Sequence, residues 1–226
     1  MAISCSTCPH AKSCFASHLD NQGQRRLEDA FQRCAIHGKG KVVFHQGQPA
    51  HFYYLCHGSV KLTSLLENGE EIILDVLSAP SVLSVRSQPR STFQHFSAVS
   101  LTSRVEITHV GFPLLLEIVK EYSSAGERLF LQFNERTEKS YQTVARMRLS
   151  VRERILSLIA LNFLEQGVST TTVPLSSYEL AQWVQTTPET ISRILRWFRT
   201  EGLIKVNGKG AITFRSDVLG PYLGRY

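Results

Sequence analysis

The stretch TTVPLSSYELAQWVQTTPETISRILRWFRTEGLIKVNGKGAITF, residues 171–214, carries the densest structural instruction in the chain. Ser176, followed three residues later by Glu179, has the spacing of a capping box, in which the two side chains answer the orphan amides of a helix start. It predicts a helix through Trp183, with Gln185-Thr186 as the turn after it. Thr187 is placed as the next N-cap, with Pro188 at the first helical position, where its missing N–H costs nothing. The helix that follows, Glu189 to Arg199, has two faces. Ile191, Ile194, Leu195 and Phe198 form the apolar one; Glu189, Ser192, Arg193 and Arg196, at i, i+3, i+4 and i+7, form the polar one. Two β-runs around Gly208-Lys209-Gly210 then read as a wing. The pattern predicts a winged helix-turn-helix.

Such a helix enters a major groove with its N-terminal residues at the base edges. Arg193 and Glu189 lie one helical turn apart, so both can reach the groove floor. The arginine fork matches guanine O6 and N7, and the carboxylate accepts from cytosine N4. A glutamate among phosphates makes sense only if it accepts a base donor. Arg196, Arg199, Lys205 and Lys209 are expected at the phosphates, which position the protein without specifying sequence, and Thr187 at the helix start is expected among the DNA-binding residues. The charge agrees. Of the net +6, residues 1–139 carry +1 (14 Lys/Arg, 13 Asp/Glu) and residues 140–226 carry +5 (11 Lys/Arg, 6 Asp/Glu). The excess sits where a polyanion would be met.

The 170 residues before this stretch have another texture. Hydrophobic residues make up 42% of the 226, enough for real cores. No leader follows Met1, and no run approaches the ~18 apolar residues of a membrane span, so a soluble cytoplasmic protein without membrane attachment is expected. In a reducing compartment Cys5, Cys8, Cys14, Cys34 and Cys56 make a poor disulfide framework, and the clustering of the first three favours metal or redox chemistry.

Asp20 to Arg33 reads as a short amphipathic helix with Leu27, Ala30 and Phe31 on one side. From Lys41 to about Val110, β-branched and aromatic runs alternate with Gly47, Gly58 and the hairpin signal Asn68-Gly69. Strands so spaced, without helices between them, predict an antiparallel jelly-roll β-barrel. Ser124 with Glu127 then suggests a capping box and a long helix to about Met147. Leu129, Phe133, Val144, Met147 and Val151 recur at three-and-four spacing, interrupted around Arg136, Thr137 and Ser140. So narrow a stripe suits pairing with a second copy, with Leu129, Phe133, Arg136, Ser140, Val144 and Met147 at the interface, the alternative being a helix that lies on its own barrel. An amphipathic helix, VRERILSLIALNFLEQG, closes at Gly167 before the stretch quoted above.

TPETISRILRWF resembles the recognition helix of the Crp/Fnr superfamily, and VFHQGQPAHFYYLCHGSVKL resembles the glycine-marked strands of its cyclic-nucleotide-type barrel. The resemblance covers almost the whole chain and implies an α+β protein. Its expected parts are a cysteine-rich segment (1–20), a β-barrel sensory domain (21–122), a dimerisation helix (123–148) and a winged helix-turn-helix (149–226). Glu189, Ser192 and Arg193 match the E-x-x-S-R pattern of the oxygen-responsive Fnr branch, and Pro188 stands where the cyclic-AMP receptors carry arginine. The resemblance then implies a homodimer on double-stranded DNA, a TTGAT-like half-site repeated as a palindrome, and RNA polymerase as a partner.

Cys5, Cys8 and Cys14 reproduce that branch's C-x2-C-x5-C, which implies a 4Fe–4S cluster; soft thiolates also suit zinc. The family's fourth cysteine, in a late barrel strand, is absent: alignment puts Glu106 there, or Thr108 after a two-residue shift. Cys34 is preferred as replacement, being nearest in sequence, with Cys56 and Glu106 as alternatives. Cyclic nucleotide is disfavoured, since SAPSVLSVRSQPRSTFQ lacks the Gly-Glu pair and its Arg90-Ser91 is out of register. Haem or another effector in the barrel, with zinc or nothing on the cysteines, is the alternative regulator. A thiol oxidoreductase using Cys5 and Cys8 is the remote one: no βαβ pattern or nucleophile–base motif supports an enzyme.

Overall fold

A computed structural model of the chain describes residues 8, 10, 12–30, 32–84, 93–164, 169–206 and 212–222. Cys5, Phe31, Arg90-Ser91, Gly167 and Gly208-Lys209-Gly210 lie outside the described residues. The chain forms two compact units, one of residues 1–71 and 76–136, the other of 72–75 and 137–226.

The first unit is the expected antiparallel barrel, flattened into two four-stranded sheets. One has the order β1 (Gln32–His37), β8 (Arg104–Val110), β3 (Phe52–His57), β6 (Ser81–Ser84). The other has the order β2 (Val42–Phe44), β7 (Ser97–Ser100), β4 (Ser59–Leu65), β5 (Glu71–Ser78). Asn68-Gly69 makes the β4–β5 turn: Gly69 has φ +81°, and the Asn68 side-chain oxygen accepts from the Glu70 amide. Gly58 has φ +85°, and a Cβ there would collide with the Arg104 carbonyl.

Successive residues of a strand face opposite ways, and β3 shows what that achieves. Tyr53 and Leu55 point between the sheets, into a core with Phe44, Val60, Leu62, Leu83, Val105 and Ile107. Phe52 and Tyr54 point outward into a second core with Phe15, Leu19, Leu27, Val82, Ile118 and Leu129. This outer core is closed by a 3-10 turn at Phe15–His18, by α1 (Asn21–Ala30), α2 (Phe112–Glu121) and the start of α3 (Ser123–Arg146).

Three boundaries differ from the sequence expectation. α1 stops at Ala30 because Gln32 onward pairs with β8, from Gln32↔His109 to His37↔Arg104. α2 is an element the apolar run after Gly111 did not announce; Pro113 sits in its first turn. The Ser124–Glu127 capping box does not form, because α3 already includes Ser123, and the Ser124 hydroxyl donates instead to the His18 carbonyl at 3.0 Å.

The second unit carries α4 (Val151–Phe163), β9 (Thr170–Val173), α5 (Ser177–Trp183), α6 (Pro188–Thr200), β10 (Ile204–Val206), β11 (Ile212–Arg215) and the single turn α7 (Ser216–Leu219). β10 and β11 are the flanks of the expected wing. The presumed loop before α5 is β9, paired with β11 in a sheet of order β10-β11-β9. Ile155, Leu158, Leu180, Val184, Ile191, Phe198 and Phe214 are all buried. Each such side chain stabilises by about 1.5–3 kcal/mol, which is what fixes α5 against α6.

Candidate nucleic-acid interface and cysteine site

Local capping chemistry sets the pitch of α5 and α6. At α5 the Ser176 hydroxyl accepts from the Glu179 amide while the Glu179 carboxylate accepts from the Ser176 amide, the expected box in full. At α6 the Thr187 hydroxyl accepts from the Thr190 amide at 3.2 Å, with Pro188 opening the helix. Between them Gln185 takes φ +53°, the strained residue of the turn. Ile191, Ile194, Leu195 and Phe198 are the buried face, as expected. Glu189, Ser192, Arg193, Arg196 and Arg199 are all exposed on α6, and Lys205 is exposed on β10. The carboxylate and guanidinium thus stand one turn apart on an open helix face, the arrangement that base-edge readout needs.

Two arginines that sequence reasoning passed over hold this motif. Nη1 of Arg154 donates to the Val184 carbonyl at 2.6 Å and the Gln185 carbonyl at 3.4 Å, and its Nη2 donates to Leu149 O at 3.0 Å. One side chain therefore ties the bend after α3 to the turn before α6. Arg152 lies over the Trp197 ring, 4.2 Å from its centroid, bracing α6 from α4. The signal for both was charge on a helix whose neighbours are apolar. α4 also begins with a full capping box, Ser150 with Glu153, likewise unremarked in the sequence.

At the other end, the cysteines do not gather as the sequence preference had them. Cys34 pairs with Ile107, which pairs with Leu55. Residues directly opposite in a sheet share a face, and Ile107 and Leu55 belong to the core between the sheets. Cys34 is therefore on the wrong face of the sheet, and exposed. Nearness in sequence misled because β1 turns its alternate residues away from the N-terminal segment. Cys14 and Cys56 both pack on the outer core. Glu106 carries an ion pair with Arg104.

Burial pushes the Cys14 thiol above its ordinary range, against the opposing pull of the Ala16 amide and the Tyr54 hydroxyl; Cys8 raises it slightly further. Tyr54 is itself pushed far up, first by burial and then by Cys14 and Cys56. Its hydroxyl accepts from Gln132 Nε2 at 3.0 Å. The same Nε2 donates to the carbonyl of Ser13 at 2.9 Å, and Arg128 donates to that carbonyl at 3.3 Å. Among the described residues no three of His, Cys, Asp and Glu surround a common point. The donor set fits an iron–sulfur cluster or zinc in kind: soft thiols, on a short loop, beside an apolar wall.

Two family descriptions match the chain: a cyclic nucleotide-binding domain over residues 37–122 and a Crp-like helix-turn-helix domain over residues 151–216. It is a Crp/Fnr-family regulator. The chain is 26% identical to Electron transport regulator A of Shewanella oneidensis, across 92% of this chain and 85% of that protein. It is 24% identical to the cAMP-activated global transcriptional regulator CRP of Escherichia coli, across 83% of this chain and 93% of that one. The c-di-GMP responsive global regulator CLP of Xanthomonas campestris shares the fold, with a TM-score of 0.70 at 19% identity over 87% of this chain and 99% of that one. The matched relatives are transcription regulators, not enzymes. This Crp/Fnr-family regulator thus binds DNA through its Crp-like helix-turn-helix domain and carries an effector-binding domain. Among its described residues no helix is long and apolar enough to cross a membrane.

Members of the family are dimeric, and α3 shows where the pairing face expected from sequence has to be redrawn. Leu129 is 4% exposed in the outer core, Phe133 packs against that core, and Arg136 donates to the Val82 and Leu83 carbonyls at 2.8 and 2.9 Å. These three face their own barrel. Ser140 is exposed and Met147 half-buried. The outward stripe is offset by one residue as far as Tyr141 and meets the expected one at Val144: Phe130, Asn134, Thr137, Tyr141 and Val144 are exposed at alternating four-and-three spacing. Phe130 is 64%, Tyr141 73% and Val144 70% exposed. Apolar residues recur on both sides of this helix, so periodicity could not tell barrel from partner.

Proposed function

We propose that this regulator is a homodimer that answers to oxygen or redox state through an iron–sulfur cluster on its N-terminal cysteines and reads a TTGAT-like inverted repeat. Glu189, Ser192 and Arg193 meet the bases; Thr187, Arg196, Arg199, Lys205 and Lys209 meet the backbone. Cys5, Cys8 and Cys14 hold the group, and RNA polymerase in the cytoplasm is the downstream partner. When bound, such a group supplies an oxygen-labile bond among the thiolates.

The observation that supports this reading is the grip of α3 on the cysteine loop. Ser13, the residue before Cys14, has its carbonyl bound by both Arg128 and Gln132. The loop's position and the setting of the helix that carries the outward stripe are therefore one equilibrium. That stripe has the a/d spacing of a coiled-coil seam, with Asn134 and Thr137 as its polar middle. Polar seam positions weaken pairing, which keeps the dimer within reach of a signal supplying about 5 kcal/mol or less.

The test is anaerobic purification of the full chain. Iron and acid-labile sulfide in equal amounts, a thiolate-to-iron band in the visible, and loss of band and palindrome binding together in air are expected. Undiminished palindrome binding after Cys5, Cys8 and Cys14 are all changed to serine would sink it.

A second reading is favoured by one observation. His51 and His109 meet edge to face in the barrel, with ring centroids 5.6 Å apart and planes at 73°, and the buried Nδ1 of His51 has no hydrogen-bond partner among the described residues. Burial and His51 hold His109 below the usual imidazole range, so it is neutral, the form that ligates metals. Haem or another effector in the barrel, with zinc or nothing on the cysteines, would use this pair; metal analysis of the purified chain separates the two.

A further inference from the structure

The loop cysteines are three, and a cluster of four irons is ordinarily held by four thiolates. We propose that Cys56, on β3, is the fourth ligand, taking over from the β8 position that lacks a cysteine. The inference rests on the iron–sulfur reading above.

Three observations converge on Cys56. The first is its face. Cys56 and Cys14 pack against the same outer core, whereas Cys34 shares a face with Leu55 and Ile107 on the other side of the sheet. The second is a change of register. Leu55 pairs with Ile107 and His57 with Glu106, so Cys56 is the extra residue of a β-bulge between β3 and β8. A bulge bends its strand locally and re-aims one side chain. The third is adjacency. Cys56 Sγ lies 3.7 Å from the hydroxyl of Thr108, one of the two β8 positions that alignment offers for the missing cysteine. The donor has stepped sideways by one strand, a spacing of about 4.8 Å.

Tyr54 connects this thiol to the loop. It lies on the same outer face, two residues before Cys56, hydrogen-bonds to Cys14 and interacts electrostatically with Cys56. Glu106 is the competing donor, but it is ion-paired to Arg104 and offers hard oxygen where iron–sulfur chemistry takes thiolate. Ligation is redox-neutral: the Cys56 thiol gives its proton to solvent and a sulfur lone pair to iron, and no electron leaves the protein. A ligand on β3 also stands next to Tyr54, which Gln132 binds, so the fourth bond and the α3 contact share one neighbour.

The experiment compares full-length wild type, Cys56→Ser and Cys34→Ser after anaerobic reconstitution with ferrous iron and sulfide. Iron, acid-labile sulfide and the visible band are read, with circular dichroism of the iron-free proteins as the folding control. Cys34→Ser should match wild type, and Cys56→Ser should fall to the level of the variant lacking the three loop cysteines. A Cys56→Ser protein with wild-type iron, sulfide and band overturns the proposal while leaving the cluster reading intact. A wild type that takes up zinc but no iron and sulfide ends both.

Alkylation of wild type removes any dependence on how the variants fold. Cys56 should resist iodoacetamide in the loaded protein and react once iron is stripped, while Cys34 reacts in both. Equal labelling of Cys56 in both states, or a Cys14–Cys56 disulfide in air-exposed protein that never held iron, overturns the proposal.

Discussion

At the reading end, the side chains expected to meet bases share one helix, α6, and the groups that aim it lie a few residues away: Thr187, Pro188 and the Ser176–Glu179 box. At the cysteine end, which we propose as the sensing site, Cys14, Tyr54, Thr108 and Gln132 come from a loop, two strands and α3. One site is assembled by helix period and capping, the other by strand register. The difference teaches where a regulator of this kind can drift in sequence. A locally built site tolerates few changes of spacing, since each moves a contact by 100° around the helix. A register-built site can pass a ligand from one strand to its neighbour and keep its place in space.

The sharpest way to break that contrast is Arg154, the long-range strut of an otherwise local motif. Arg154→Met keeps the stem and removes the donors, leaving the Val184 and Leu149 carbonyls without them. Hydrogen bonds from a charged donor contribute about 1.5–3 kcal/mol each, so a loss of about 3 kcal/mol in stability of the helix-turn-helix unit is expected by thermal or denaturant unfolding. A loss below about 0.5 kcal/mol, the size of an ordinary surface change, would show the motif is held by caps and core alone. Next in size is Arg193→Ala, on exposed ground where folding is not at stake. Its bidentate contact is worth about 1–3 kcal/mol, so binding to the palindrome should weaken by roughly tenfold to a hundredfold while scrambled DNA is bound nearly as before. Arg199→Ala should instead weaken both alike and reduce the salt slope by about 0.9, as a phosphate contact does. If Arg193 and Arg199 behave the same, α6 is not reading bases.

The same contrast explains what the sequence revealed. The two helices of the helix-turn-helix were legible to within a residue or two because their rules span three or four positions: Ser176 to Glu179, Thr187 to Thr190, and Ile191 to Phe198 by helical period. The barrel was legible as a class, from the Asn68-Gly69 hairpin and the glycine spacing. Its edges were not. β1 continues a helical pattern, and only pairing with β8 makes Gln32–His37 a strand. α3 was legible as a helix but not in phase, because Leu129 and Phe130 each head an apolar stripe and only the barrel decides which one is inward. The faces of Cys34 and Cys56 were illegible for the same reason, since a single step in register reverses which face a side chain meets, and only the pairing with β8 puts Cys34 opposite Ile107.

The smallest expected effect tests whether register also tunes chemistry. His109 faces Tyr53 and His51 across β8 and β3, with ring centroids 5.4 and 5.6 Å away. Burial first, and the His51 charge second, hold its imidazole below the usual range. The folded protein therefore resists taking that proton, while the unfolded chain accepts it as pH falls through about 6.5. The contribution to stability is complete above that pH, shrinks as pH falls, and stops shrinking once the lower folded-state value is passed. NMR titration of His109 should find it below the free imidazole, and His109→Gln should flatten this part of the pH–stability curve. His51→Phe should move His109 only part of the way back, since burial is the larger cause and remains. A His109 that titrates like a free imidazole would mean the pleat positions these rings without altering their chemistry, and would withdraw the neutral imidazole on which the barrel-effector reading depends.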